Sequence, residues 1–127
     1  MAKYVDGFVL VVPKGKIAEY KKMAREGAKS WMKYGALQYM ECVGDDLVPK
    51  DMGGVKPRAF TEMADAKRDE TVWFSFIVFK SRKHRDEVNA KVMKEMNEQM
   101  EKYKDVPMPF DMKRFAYGGF DVLVEDK

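Results

Sequence analysis

Two side chains of this sequence could move a proton. Asp6 is a carboxylate inside an apolar run, so on burial it must find a hydrogen-bonding partner or lose its charge. It could serve as a general base, although hydrogen bonding to backbone at the wet end of a strand is the alternative. His84 is the only histidine and stands near a predicted helix start, where the positive helix end disfavours an imidazolium acid. A solvated surface position is the alternative for His84.

Four further residues are candidates for holding a ligand: Ser75, Trp73, Arg114 and Tyr117. A guanidinium fork and a phenol hydroxyl near the glycine pair at 118–119 could bind an anionic or phenolic molecule, with a structural ion pair as the alternative for Arg114. Ser75 is isolated among aromatic residues, where it would orient a ligand or fill a small gap. Aromatic side chains available to line an apolar pocket are Trp31, Trp73, Phe74, Phe76 and Phe115.

Residues that hold metals or cofactors are scarce. Cys42 is the only cysteine, which excludes an internal disulfide and a cysteine-rich zinc site, and we expect it to be a small buried hydrophobe. One histidine cannot form a multi-histidine centre within one chain. The sequence carries no phosphate-binding loop, dinucleotide-binding glycine pattern, zinc motif or nucleophile elbow. We therefore predict no metal and no cofactor.

Composition is typical of one globular domain over residues 1–127. The chain is 46% hydrophobic and 13% aromatic, and 24 Lys and Arg residues stand against 21 Asp and Glu residues. The net charge of +3 is spread through mixed-sign segments, so nucleic-acid binding is not indicated. No hydrophobic leader follows Met1 and the apolar runs are too short to span a membrane, which predicts a cytoplasmic protein.

The hydrophobic periodicity predicts strand, helix, strand, strand, helix, strand. Gly35 is expected to cap the first helix and Ser81 to begin the second, whose apolar stripe would run from Val88 to Tyr103. The long connection at 44–58 could be a mobile lid. The predicted segments are strands at 4–13, 36–43, 71–80 and 113–124, a helix from 17 to 35, a short extra strand at 59–63, and a bulge or close backbone approach at 118–119.

This order fits a ferredoxin-like βαββαβ fold of the α+β class, with an antiparallel sheet and both helices on one face. The first and third strands are apolar on both sides, so a monomer would expose a hydrophobic sheet face larger than soluble monomers usually tolerate. Pairing of two sheets would cover it. We therefore expect a homodimer at micromolar concentration.

Several short motifs, taken together, resemble one bacterial family. They are Tyr4-Val-Asp-Gly-Phe-Val, Gly35-Ala-Leu, Glu41-Cys42, Asp46, Phe74-Ser75, Lys80-Ser81, Arg85-Asp86, Asn89, Met108-Pro-Phe-Asp111, Arg114 and Tyr117-Gly-Gly-Phe120. The set is similar, nearly end to end, to the family called domain of unknown function 1428. The resemblance implies the dimeric α/β-barrel superfamily, in which two ferredoxin-like protomers join their sheets. Relatives in that superfamily include cofactor-independent monooxygenases, haem-degrading enzymes and isomerases.

The expected function is binding of a small hydrophobic or aromatic molecule in a pocket between sheet and helices. As an enzyme, the chain would be a cofactor-independent monooxygenase or isomerase in which Asp6 or His84 moves a proton while Arg114 and Tyr117 hold the substrate. The alternative is a non-catalytic binding or interaction module. A third possible function is that of an RNA-associated protein, which the lack of a basic stripe disfavours.

Overall fold

The computed structural model describes residues 2–126, which form a four-stranded antiparallel sheet with two long helices on one face. The sheet order is β2-β3-β1-β4, so the predicted ferredoxin-like α+β fold is confirmed. The elements are β1 (Tyr4–Pro13), α1 (Ile17–Lys33), β2 (Gln38–Val43), α2 (Phe60–Met63), β3 (Glu70–Phe79), α3 (Arg82–Glu98), α4 (Met100–Tyr103) and β4 (Ala116–Asp121), with short 3-10 turns at Lys14–Lys16 and Met112–Arg114.

Alternation along the strands divides the sheet into a helix face and an open face. On the helix face, Leu10 and Val12 of β1 pack with Tyr20 and Ala24 of α1. A second cluster on that face joins strand and α3 side chains, and it consists of Tyr4, Ile77, Phe79, Val88 and Val92 with Ala36. The two long helices are therefore held by burial of their apolar stripes against one side of the sheet.

The open face is covered only at one end. There Val11 and Val72 are buried beneath Ala64 and the loop residue Leu47. Farther along the same face the side chains of Phe74 and Phe120 are 47% and 60% exposed. The chain thus leaves a large apolar area of its sheet in contact with solvent.

Both predicted helix boundaries are present. At the end of α1 the Gly35 backbone has φ +114°, and the next amide, from Ala36, donates to the carbonyl of Trp31 at 3.0 Å. This is the six-residue closure of a glycine-capped helix end. At the start of α3 the Ser81 hydroxyl accepts from the backbone N–H of His84 at 3.1 Å, as an N-cap serine does.

Four local predictions were wrong. The segment 59–63 was expected to be a strand, but it contains the short helix α2. Ala, Glu and Met are strong helix formers, and none of the four strands of the sheet pairs with this segment. Strand β2 begins later than the predicted segment 36–43, because Ala36 takes part in the hydrogen bonds that close the end of α1. Strand β4 begins later than the predicted segment 113–124, because a 3-10 turn occupies Met112–Arg114. The second helix is interrupted at Gln99, and its stripe leaves the core after Val92, so Met96 and Met100 are exposed.

The glycine pair in β4 serves a close approach. The pairing of β4 with β1 runs without interruption from Val9↔Ala116 to Tyr4↔Asp121, so the strand has no bulge there. The ring and hydroxyl of Tyr4 occupy the space that a Cβ at Gly119 would need. In the described part of the chain, no helix is both long enough and apolar enough to cross a membrane.

Candidate functional site

Four residues form one line across the helix face at the middle of the sheet. Glu41 of β2 lies opposite Ser75 of β3, Ser75 lies opposite Phe8 of β1, and Phe8 lies opposite Tyr117 of β4. We call these four residues the central row. Because all four strands contribute one residue each, the row joins a carboxylate, a hydroxyl, a phenyl ring and a phenol on one surface.

The carboxylate end of the central row is fixed by two tyrosines. Tyr20 of α1 donates its hydroxyl to one oxygen of Glu41 at 2.8 Å, and Tyr39 of β2 donates to the other at 2.7 Å. Tyr20 is itself held edge-on against Trp73, with ring centroids 4.9 Å apart. Burial, together with the charge of Glu41, raises the pKa of both phenols far above the ordinary value. Both tyrosines therefore remain neutral hydrogen-bond donors.

Ser75 is the buried middle of the row. Its side chain lies on the helix face and the residue is only 4% exposed. Among residues 2–126, the fully buried side-chain polar atom that lacks a hydrogen-bond partner is Oε2 of Glu95, so the Ser75 hydroxyl is not an orphaned buried group. Ser75 places a hydroxyl directly opposite Glu41 on the neighbouring strand.

The aromatic end of the row is open to solvent. Phe8 is on a central strand and faces the helices, yet it is only half-buried. Its ring stacks on Tyr117 and tilts against Phe115, each at a centroid distance of 5.9 Å. Tyr117 is 72% exposed. The helices therefore do not close over this part of the sheet, and an apolar surface remains accessible beside the core.

Asp6 lies two residues from Phe8 on the same face, inside a closed polar network. Arg85 of α3 donates to one oxygen of Asp6 at 2.7 Å, and Asn89 donates to the other at 3.2 Å. The indole N–H of Trp31 in turn donates to the Asn89 carbonyl at 2.9 Å. The carboxylate is 4% exposed, so its burial is compensated by one charge and two directed hydrogen bonds.

The Arg85 guanidinium is supported from below by an aromatic ring. Its central carbon lies 4.9 Å from the centroid of the Tyr4 ring, a cation–π arrangement. Tyr4 can adopt this position because Gly119 has no side chain. Gly119 therefore leaves room for Tyr4, the Tyr4 ring contacts Arg85, and Arg85 binds Asp6.

Arg114 and Tyr117 are not brought together as a ligand clamp. The guanidinium of Arg114 donates twice to Glu70, at 2.7 Å each, once to Asp111 at 2.8 Å and once to the Asp65 carbonyl at 2.8 Å. These contacts follow the structural alternative considered for Arg114. They join β3 to the segment before β4.

His84 and Trp73 also lie outside the central row. The Nδ1 atom of His84 accepts from the backbone N–H of Lys80 at 3.0 Å, so the ring joins the turn before α3, whereas the hydrogen bonds to Asp6 come from Arg85 and Asn89. Trp73 donates its indole N–H to Thr71 at 3.0 Å and is buried in the core.

Three further expectations are corrected by the strand register. Phe74 and Phe76 lie on the open face and cannot line a pocket between sheet and helices, because their neighbours Trp73 and Ser75 take the helix face. Cys42 is exposed rather than buried, since β2 is an edge strand and this position faces the open side.

Sequence reasoning did not assign roles to several residues that build the site. Arg85 and Asn89 are four positions apart on α3, a spacing that places two polar side chains on one helix face and could have suggested partners for Asp6. Glu41 carried no such signal, because Tyr20 donates to it from another element. Among residues 2–126, no group of three or more His, Cys, Asp or Glu side chains is arranged to hold a metal ion.

The fold and the helix-face site define a ferredoxin-like α+β protein with a polar and aromatic row at the centre of its sheet. A dimeric ferredoxin-like protein from an uncultured marine organism has the same fold, with a TM-score of 0.53 and 10% sequence identity over 99% of this chain and 100% of that chain. The family model described as "Protein of unknown function (DUF1428)" matches residues 3–112. The chain belongs to this family, which confirms the resemblance found in its motifs.

Curated relatives cover almost the whole length of the chain. The uncharacterized protein YbaA of Escherichia coli K12 is 38% identical over 124 residues, which are 98% of this chain and 99% of YbaA. YbaA of Shigella flexneri matches with the same identity and coverage.

Replacing Asp6 tests the closed polar network. Asp6→Asn removes the buried charge that compensates Arg85, and we expect the free energy of unfolding in urea to fall by about 3 kcal/mol. The matched control is Asp86→Asn, which removes the other carboxylate bonded to Arg85 from a position with 60% side-chain exposure. Its expected loss is under about 1 kcal/mol. Equal losses for the two variants would contradict the assignment of Asp6 as the buried anchor.

The Glu70–Arg114 pair predicts a pH dependence. Its hydrogen bonds from Arg114 lower the pKa of Glu70 from 4.5 to about 2. Because the folded pKa is the lower one, the stabilisation is complete above 4.5 and is lost as the pH falls through about 2.

We therefore expect Glu70→Gln to be less stable than the wild type at neutral pH, with a difference that shrinks below pH 4.5. Urea denaturation across this acid range measures it. The control, Glu87→Gln, alters an exposed carboxylate and should give the same small difference at every pH. A Glu70→Gln difference that is constant with pH would refute the pairing.

Proposed function

We propose that this protein binds a small hydrophobic or aromatic molecule on its helix face, along the central row. The proposal is carried by Phe8, a central-strand aromatic residue that faces the helices and is still half-buried. Phe115 and Tyr117 extend this apolar surface toward solvent, and Ser75 supplies a polar group beside it. An apolar lining with a few directed polar groups is typical of small-molecule sites.

The contacts of Asp6 favour a positioning role over proton transfer. Both of its oxygens accept hydrogen bonds, one of them from a charged guanidinium, and a general base must reach the proton that it removes. The Nδ1 atom of His84 already accepts a hydrogen bond from the backbone of Lys80 at the turn before α3. A binding module is therefore better supported than a monooxygenase or isomerase that uses these two residues.

We further propose that the protein is a homodimer joined through its open sheet faces. Support comes from the exposed apolar side chains on that face, which include Met40, Phe74 and Phe120. The marine protein with this fold is described as dimeric. An interface of ordinary size would bury roughly 800 Å² on each partner.

Ligand binding is tested with 4-phenylbutanol, a neutral aromatic probe, in a titration followed by ¹⁵N NMR. We expect shifts in the backbone resonances of the central row. Tyr117→Ala should weaken binding about fivefold, because it removes one aromatic contact from an exposed position that the fold does not need. The control, Phe60→Ala, removes an exposed aromatic side chain outside the row. No shift on the helix face, or equal binding by Tyr117→Ala, would refute the proposal.

The dimer is tested by sedimentation at micromolar concentration, where the expected mass is twice the 14.8 kDa of one chain. Phe74→Glu places a charge in the proposed interface and should give monomers. Met93→Glu is the matched control, since Met93 on α3 is also 47% exposed, and it should stay dimeric. A monomeric wild type would contradict the proposal.

A further inference from the structure

Within the part of the chain that the structure describes, the carboxylate of Glu41 has no positively charged partner. It accepts hydrogen bonds from the neutral hydroxyls of Tyr20 and Tyr39, and none of the ion pairs among residues 2–126 includes it. This differs from Asp6, which is paired with Arg85. A half-buried carboxylate without a cation is an uncompensated charge among neutral polar and aromatic groups.

Glu41 also has acceptor capacity left. An ionised carboxylate offers about four lone-pair positions, and the two tyrosines occupy one on each oxygen. Ser75, directly opposite on β3, brings a hydroxyl to the same row. Two neighbouring strands therefore present oxygen acceptors side by side on the helix face.

Three aromatic side chains lie close to Glu41. Tyr20 and Tyr39 donate their hydroxyls to its carboxylate, and the Trp31 ring lies 6.1 Å from the ring of Tyr39. A carboxylate in such partly buried surroundings attracts a cation more strongly than a neutral molecule or an anion.

The central row also sets the distance between the carboxylate of Glu41 and the apolar surface at Phe8. Neighbouring strands are about 4.8 Å apart, so the backbones at Glu41 and Phe8, two strands away, are about 10 Å apart. A ligand spanning them needs a polar head and an apolar body separated by a short chain.

From this juxtaposition we propose that the ligand of the central row is a primary ammonium compound with an aromatic or apolar tail. Its N–H groups donate to Glu41 and Ser75, and its tail lies over Phe8 toward Tyr117. This inference rests on the proposed binding function and adds the charge and the orientation of the ligand.

The test compares three probes that share a phenylbutyl skeleton: 4-phenylbutylamine, 4-phenylbutanol and 4-phenylbutyrate. We expect the amine to bind wild-type protein at least about tenfold more tightly than the alcohol, because the ammonium group adds a positive charge to its hydrogen bond with the carboxylate and the neutral hydroxyl does not. The carboxylate should bind most weakly. Since the chain has a net charge of +3, non-specific attraction would give the opposite order.

Glu41→Gln separates the charge from the shape of the site. The substitution should weaken binding of 4-phenylbutylamine about tenfold and binding of 4-phenylbutanol by a clearly smaller factor, because only the amine loses an ion pair with the carboxylate. Glu87→Gln removes an exposed carboxylate on α3 and should change neither. Near-UV circular dichroism checks that Glu41→Gln is folded; if it is not, the order of the three probes on wild-type protein decides.

The outcomes distinguish this inference from the binding function. Alcohol and amine binding equally on the helix face would overturn the ammonium proposal and leave the apolar site standing. Absence of binding by all three probes would overturn both. Tight binding of the amine that survives Glu41→Gln would place its charge recognition elsewhere and so refute the assignment of Glu41.

Discussion

The ion pair between Asp6 and Arg85 is the constraint around which the helix face is organised. A charged group in the central strand of a sheet is stable only if a partner reaches it, and Arg85 does so from α3 across 79 positions of sequence. Asn89 and Trp31 extend the same network to α1. One buried carboxylate therefore fixes the placement of both long helices relative to the sheet.

The two carboxylates of the helix face have opposite surroundings. Asp6 is paired with Arg85, whereas among residues 2–126 the Glu41 carboxylate accepts hydrogen bonds from neutral hydroxyls and takes part in no ion pair. A charge compensated by a cation stabilises the fold, and the proposed ligand would supply the corresponding cation at Glu41. The central row combines the second kind with an aromatic surface at Phe8 that the helices leave uncovered.

Local sequence was sufficient for the order of the main strands and helices. The apolar run at 71–80 predicted β3, and glycine and serine predicted two helix ends at Gly35 and Ser81. These signals are short-range, so one sequence carries them. The segment at 59–63 was wrongly predicted as a strand, because its one aromatic residue and its threonine were given more weight than the helix propensity of Ala, Glu and Met.

The site itself was less accessible to sequence, since its contacts are long-range. Asp6 was expected to need a partner, but nothing local chooses Arg85 over other cations. Arg114 was considered as a ligand-binding residue, but its guanidinium donates to Glu70, which is 44 positions away in the sequence. Glu41 was unremarkable as a sequence position because its hydrogen-bond donors come from two different elements.

The position of β1 in the sheet has a consequence for synthesis. Among the strands described, β1 is synthesised before the others, yet it lies between β3 and β4 and pairs with residues 70–79 and 116–121. Its backbone groups and its two apolar sides stay without their native neighbours until the residues up to 121 have been made. Folding therefore depends on closing long loops late. During that interval the first strand is the segment most exposed to pairing with the wrong chain.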